Sequence, residues 1–192
     1  MLVIDKRMPK QYKNVVDMVC NAENIDVSGE EMLRMVDNKA NLMTYEELEK
    51  YTNIDDVLGP HRAVILLYQA HRFDGHWTCL FESAKNPNKL IFWDSYGIPI
   101  DKELEFSEFN TRKHKGQIVP HLSALIDKSN YTVESNTYQF QKDGQKNNEC
   151  GAWTSCRIIF RDMSNKRFQT FFTTNKFHDG DFWATALTLL FR

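Results

Sequence analysis

The chain is poor in the residues that would make it fibrous, disordered or stapled. Its 192 residues contain 8 Gly and 5 Pro, too few for a collagen-like or low-complexity chain. The 4 cysteines stand at positions 20, 79, 150 and 156 with no CxxC pair among them. That excludes a dense disulfide framework and matches no zinc-ligand spacing, so no metal is expected. Long apolar runs are missing as well. The opening MLVIDKRMPK meets a charge too early for a signal peptide, and Ala63–Tyr68 suits a buried strand but not a bilayer. Neither sign of charge dominates. Lys and Arg number 24, Asp and Glu 26, for a net charge of -2, which argues against a dedicated nucleic-acid binder. Free thiols without a leader or a span imply a reducing, non-secreted compartment and no membrane.

What is present is an ordinary core-forming composition. Hydrophobic residues make up 42%, with 13 Phe and 4 Trp, enough for one domain without staples. No internal repeat is visible. Residues 1–60 form a polar, mostly helical N-terminal extension, and 61–192 form the core of the single domain. Ser28 with Glu31 and Thr44 with Glu47 have capping-box spacing, which predicts short helices over MLRMV and LEKY. After Gly59-Pro60 the pattern turns to strands: Ala63–Gln69, His76–Glu82 and Lys89–Asp94, the last two joined by a turn at Asn86-Pro87-Asn88. Ile118–Asp127, Cys150–Phe160 and Asp179–Phe191 read as helices, while Tyr131–Glu134 and Thr137–Gln141 read as short strands. Strands and helices without strict alternation predict an α+β fold.

Three segments carry the chemistry: Gly75-His76-Trp77, Trp93-Asp94-Ser95, and the stretch from Gln145 to Glu149-Cys150-Gly151. A cysteine nucleophile acts as the thiolate and needs help to ionise. Cys150 follows a polar, turn-forming stretch and opens a helical run, and the positive end of a helix favours an anion. Gly151 lets a substrate backbone come close. His76 can take the thiol proton and return it to a leaving amine. Asp94 can orient that imidazole. Antiparallel pairing of the two strands would bring His76 and Asp94 to the same end of the sheet. Gln145 can donate to an oxyanion.

The ordered set His76-Trp77, Asp94-Ser95, Gln145 and Glu149-Cys150-Gly151 resembles the clan of cysteine proteases that contains adenovirus protease and the SUMO-specific proteases. The intervals of 18 residues from His76 to Asp94 and 74 from His76 to Cys150 are similar to that clan's. The resemblance covers about residues 62–161. It implies a mixed central sheet flanked by helices, with the nucleophile at the start of a buried helix. It also implies a preference for small, Gly-containing cleavage sites, with Trp77 beneath the site and Gly151 beside the substrate. One position departs from the pattern. The family's oxyanion Gln lies one residue further upstream, where this chain has Gly144, so Gln141 competes with Gln145 for the role.

Glu149 before the cysteine is similar to the viral branch of the clan, which matures capsid proteins. The implied activity is therefore a monomeric cysteine endopeptidase acting on capsid polypeptides, in the virion interior, the host cytoplasm or a viral factory. A SUMO- or ubiquitin-directed isopeptidase is the alternative, and an acetyltransferase of the same clan a further one. No cofactor is implied: neither the peptide nor the DNA used by adenovirus protease carries over. The basic cluster Arg112-Lys113-His114-Lys115 reads as a solvated loop.

Overall fold

Apolar runs in the middle of the chain pair into a three-strand antiparallel meander of β2 (Ala63–His71), β3 (Asp74–Ser83) and β4 (Asn86–Asp94). The computed structural model describes residues 10–23, 25–71, 74–105, 109–142, 148–174 and 177–191. β1 (Asn41–Thr44) joins the meander parallel to β2, and β5 (Thr132–Ser135) joins it parallel to β4, completing a five-stranded mixed sheet in the order β1-β2-β3-β4-β5. Helices cover both faces, so the architecture is α+β.

Each parallel pair needs a crossover. From β1 to β2 the chain passes a 3-10 turn (Tyr45–Lys50) and α3 (Ile54–Leu58). From β4 to β5 it passes a second 3-10 turn (Lys102–Glu105), α4 (Phe109–His114) and α5 (His121–Asp127). These crossovers cover one face, where Tyr45, Leu48, Ile54 and Leu122 pack on Leu66, Leu80, Leu90 and Phe92. The opposite face carries α2 (Gly29–Met35), α6 (Cys150–Ile159), α7 (Asn165–Thr173) and α8 (Gly180–Leu189). There Met32, Trp153, Phe168 and Phe172 meet Phe81 and Trp93. α1 (Lys10–Ala22) rests on α8 through Val16, Val19 and Phe182. Among the described residues, no helix is long and apolar enough to cross a membrane.

Local chemistry fixes most of the element ends. Both capping boxes form: Ser28 and Glu31 start α2, and Thr44 and Glu47 start the first 3-10 turn. The Asp179 carboxylate accepts from the Phe182 amide at 3.0 Å and starts α8. Three expectations fail. The β3–β4 turn is at Ala84-Lys85 rather than 86–88. Pro87 sits instead where the β3–β4 register shifts, a place that needs no amide donor. The helix expected from Ile118 starts only at His121, because Pro120 occupies its cap, and Ile118 is exposed. Thr137–Gln141 is not a strand. The amides of Phe140 and Gln141 both donate to the Ser95 carbonyl, at 2.8 and 3.1 Å, so this stretch wraps the end of β4 instead of extending a ladder.

One buried junction holds the crossover face together. Asp101, with φ of 62°, accepts from the Tyr45 hydroxyl at 2.7 Å and from the Ser123 amide at 2.9 Å. It also accepts from the Ser123 hydroxyl. It thereby ties the first 3-10 turn and α5 to the residue just before the second 3-10 turn. Asp101→Ala leaves the buried Tyr45 hydroxyl only its longer bonds to the Val119 carbonyl and the Leu122 amide, at 3.4 and 3.3 Å, and is expected to cost about 1–3 kcal/mol. Urea denaturation of the variant measures it.

Candidate active site

The β3–β4 register decides where the imidazole and the carboxylate meet. Thr78 stands opposite Asp94, the last residue of β4. Side chains alternate along a strand, so His76, two residues from Thr78, lies on the same face as Asp94. His76 Nε2 donates to Asp94 Oδ2 at 2.7 Å. The other carboxylate oxygen, Oδ1, accepts from the amides of Tyr96 and Ile98 at 2.7 and 3.3 Å. Asn136 pins the same residue's backbone: its amide group donates to the Asp94 carbonyl at 2.7 Å, and its oxygen accepts from the Asp94 amide at 2.9 Å. Asp94 is fully buried, and these donors offset the cost of burying its charge.

With Nε2 committed to Asp94, Nδ1 is the ring nitrogen left for another partner. The Cys150 side chain stands close enough to this imidazole to interact with it. The Tyr96 ring packs against the imidazole with centroids 5.1 Å apart. Burial of His76 works against its charged form. The Asp94 charge and hydrogen bond, together with the Cys150 contacts, outweigh burial and hold the imidazole well above its ordinary value.

Cys150 is the first residue of α6, whose positions Gly151 to Ile158 are all buried. The helix packs on the face of β3 opposite to His76, and the Thr154 hydroxyl donates to the Trp77 carbonyl at 3.0 Å. The thiol and the imidazole thus approach from opposite faces and meet where the sheet ends. Among the described residues, the N-cap residue Glu149 makes no side-chain cap to α6, and the first N–H groups of a helix are suited to receive an anion. Two further bonds seat this end of the helix: Thr185 donates to the buried Glu149 carboxylate, and Trp153 Nε1 donates to Asp181 at 2.7 Å. The other cysteines differ in kind. Burial pushes the Cys79 thiol up to about 12, and the Cys156 thiol is raised by the same cause. Cys20 is also raised, mainly by burial.

The structure therefore brings His76, Asp94 and Cys150 together. Gln145 lies outside the described residues. Gln141 is fully buried and accepts from the Ser95 hydroxyl at 2.8 Å. Trp77 is half-buried and packs into the cluster beneath α6. Gly151 follows Cys150 in a spot where a Cβ would stand 2.8 Å from Val27 Cβ.

Sequence reasoning missed Glu103, in the second 3-10 turn. Its side chain is 9% exposed, and Oε1 lies 3.9 Å from His76 Nε2. One of its carboxyl oxygens also lies within 4.8 Å of an Asp94 carboxylate oxygen. Burial pushes the carboxyl up to about 7, with His76 opposing and Asp94 reinforcing the shift. Its only sequence signal is a charge in Asp101-Lys102-Glu103-Leu104-Glu105, a pattern that reads as solvated. His76, Asp94 and Glu103 offer donor atoms within 4.8 Å of one another. The two facing atoms of His76 and Asp94 are already spent on their mutual hydrogen bond.

Gly151→Ala forces its Cβ against Val27 beside Cys150. Overpacking of this kind costs about 1–3 kcal/mol, and each kcal/mol lowers the melting temperature of a chain this size by roughly 2–4 °C. Calorimetry of the variant is expected to show a loss in that range.

Among known proteins, no family model matches the chain. It is 35% identical to uncharacterized protein V9 of the Sputnik virophage over 149 residues, which cover 78% of this chain and 84% of that protein. Identity at this level over most of both sequences makes the chain a member of the virophage V9 protein family, a family of viral proteins.

Proposed function

We propose that the chain is a cysteine endopeptidase that processes capsid or other virion proteins at small-residue, Gly-containing sites during particle maturation. One observation carries the reading: a thiol at the start of a buried helix stands beside an imidazole that is held by a fully buried aspartate. Kinship with a virophage protein supports the viral substrate class.

In this reading His76 takes the proton from Cys150, and the sulfur attacks the scissile carbonyl. The new oxyanion is met by N–H groups at the start of α6 and by the amide of Gln145. His76 then gives its proton to the departing amine, leaving an acyl-enzyme on Cys150. Water, activated by the same imidazole, releases the second product. Asp94 keeps the ring oriented throughout and stabilises its cation. Gln141 is fully buried, with its side-chain oxygen held by the Ser95 hydroxyl, and its burial favours Gln145 as the oxyanion donor. The enzyme acts as a monomer without metal or cofactor, in a reducing setting such as the virion interior, the host cytoplasm or a viral factory.

Co-expression with capsid proteins of the same genome, read by intact mass, tests this. Wild type is expected to cleave and Cys150→Ala to leave the substrates whole. His76→Ala is expected to lose about 10²–10⁴ in rate, and Gln145→Ala about 10²–10³. Gln141→Ala lowers stability rather than rate. Cleavage that survives Cys150→Ala overturns the assignment. Labelling of Cys150 by an electrophilic ubiquitin-like probe, with capsid proteins uncut, redirects it to a modifier isopeptidase. Acyl transfer from acetyl-CoA to a target redirects it to an acyltransferase.

A further inference from the structure

Two buried carboxyl groups stand beside the His76 imidazole where orienting the ring requires one. Asp94 receives three donors: His76 Nε2 on Oδ2, and the Tyr96 and Ile98 amides on Oδ1. A Glu103 carboxyl oxygen lies within 4.8 Å of an Asp94 carboxylate oxygen, and Glu103 Oε1 is buried without any hydrogen-bond partner. Two buried carboxylates this close repel, so they can share a hydrogen bond only when one of them carries a proton. The donors already aimed at Asp94 make it the acceptor, and the proton falls to Glu103.

We propose that Glu103 is a fourth member of the site, a positioning residue that as a neutral acid donates a hydrogen bond to Asp94 and helps hold that carboxylate toward His76. Loss of the proton to solvent reverses its effect. The ionised carboxylate repels Asp94 and offers the imidazole a second acceptor, since Oε1 is already 3.9 Å from Nε2. The ring is then shared between two anions, and its hold on the proton needed by a leaving group tightens.

The groups facing Glu103 set this balance. Tyr68 comes from β2, His76 from β3 with Cys150 of α6 behind it, and Asp94 from β4. Asp101 precedes the 3-10 turn and accepts from Tyr45 and Ser123. On the turn itself, Lys102 and Glu105 are paired with each other at the surface. Among the described residues, the positive group acting on Glu103 is His76, the one that Glu103 would disturb.

The inference rests on the proposed peptidase reading for its consequence, but its proton can be measured without any substrate. The ring resonances of His76, assigned by their loss in His76→Ala, are followed by NMR from pH 5 to 9. Wild type is expected to show an inflection near pH 7 in addition to the ring's own titration. Glu103→Gln keeps an N–H donor for Asp94 and is expected to lose that inflection while retaining the low-pH ring shift. Glu103→Met removes the donor too, and its ring shift is expected to differ from wild type even at pH 5. Melting curves give a second readout. A carboxyl whose folded value lies above its unfolded value favours the folded state at low pH, and this benefit is lost as pH rises from the ordinary carboxylate range to about 7. Wild type should lose stability relative to Glu103→Gln over that window. An inflection that persists in Glu103→Gln, or melting curves that stay parallel, overturns the inference even if Cys150 proves to be the nucleophile. If the inflection behaves as expected while capsid proteins stay uncut by wild type and Cys150→Ala alike, the proton pair stands and the peptidase reading falls.

Discussion

A carboxylate with no solvent contact lies at the end of β4, and much of the surrounding structure is arranged to satisfy it. Burying a charge costs several kcal/mol unless its lone pairs are filled. The chain after Asp94 turns back so that two amides reach one oxygen, and the antiparallel register supplies an imidazole to the other. Asn136, just past β5, braces the backbone of the same residue from the far side. The parallel addition of β5 to β4 therefore matters to the site as well as to the sheet, because it delivers that bracing amide.

The thiol side of the site is organised by packing rather than by charge. α6 is buried almost along its whole length, between β3 and a shell of aromatic rings from α7 and α8. Arg157 shares that burial. Its guanidinium lies between Phe81 and Phe168 and donates to the Phe160 and Met163 carbonyls at the C-terminal end of the helix. Charge at that end complements the helix dipole and anchors the helix remotely from Cys150. The first turn is set by contact with Val27, from the segment leading into α2. Residues ahead of the meander thus fix the height of the helix start.

Strands with continuous apolar runs and helices with a clear cap were legible in the sequence, and so was the meeting of His76 and Asp94, because hairpin pairing is a local rule; that Cys150 joins them was implied by the resemblance of the ordered set to a protease clan. Two of the failures, at Tyr138–Phe140 and at Glu103, share a cause, while the one at Ile118 is local. Tyr138 and Phe140 alternate like strand residues, but the Ser95 carbonyl captures the amides a ladder would have used. The run from Ile118 looks helical until Pro120 sets the first turn. Glu103 sits among charges that resemble a solvent face, and only the crossover from β4 to β5, anchored through Asp101, turns it inward. What is decided by a distant partner leaves no local signature.

The packing of α1 against α8 has a consequence for how the molecule is made. The only described apolar cluster holding α1 joins residues 16 and 19 to residue 182. On a ribosome adding about 5–20 residues per second, that partner appears roughly 10–30 s after α1 has been synthesised. The sheet and its crossovers can assemble during the interval, while α1 remains an undocked amphipathic segment. Its docking is then a late step, and an interruption of synthesis before α8 yields a chain whose first helix has nowhere to go.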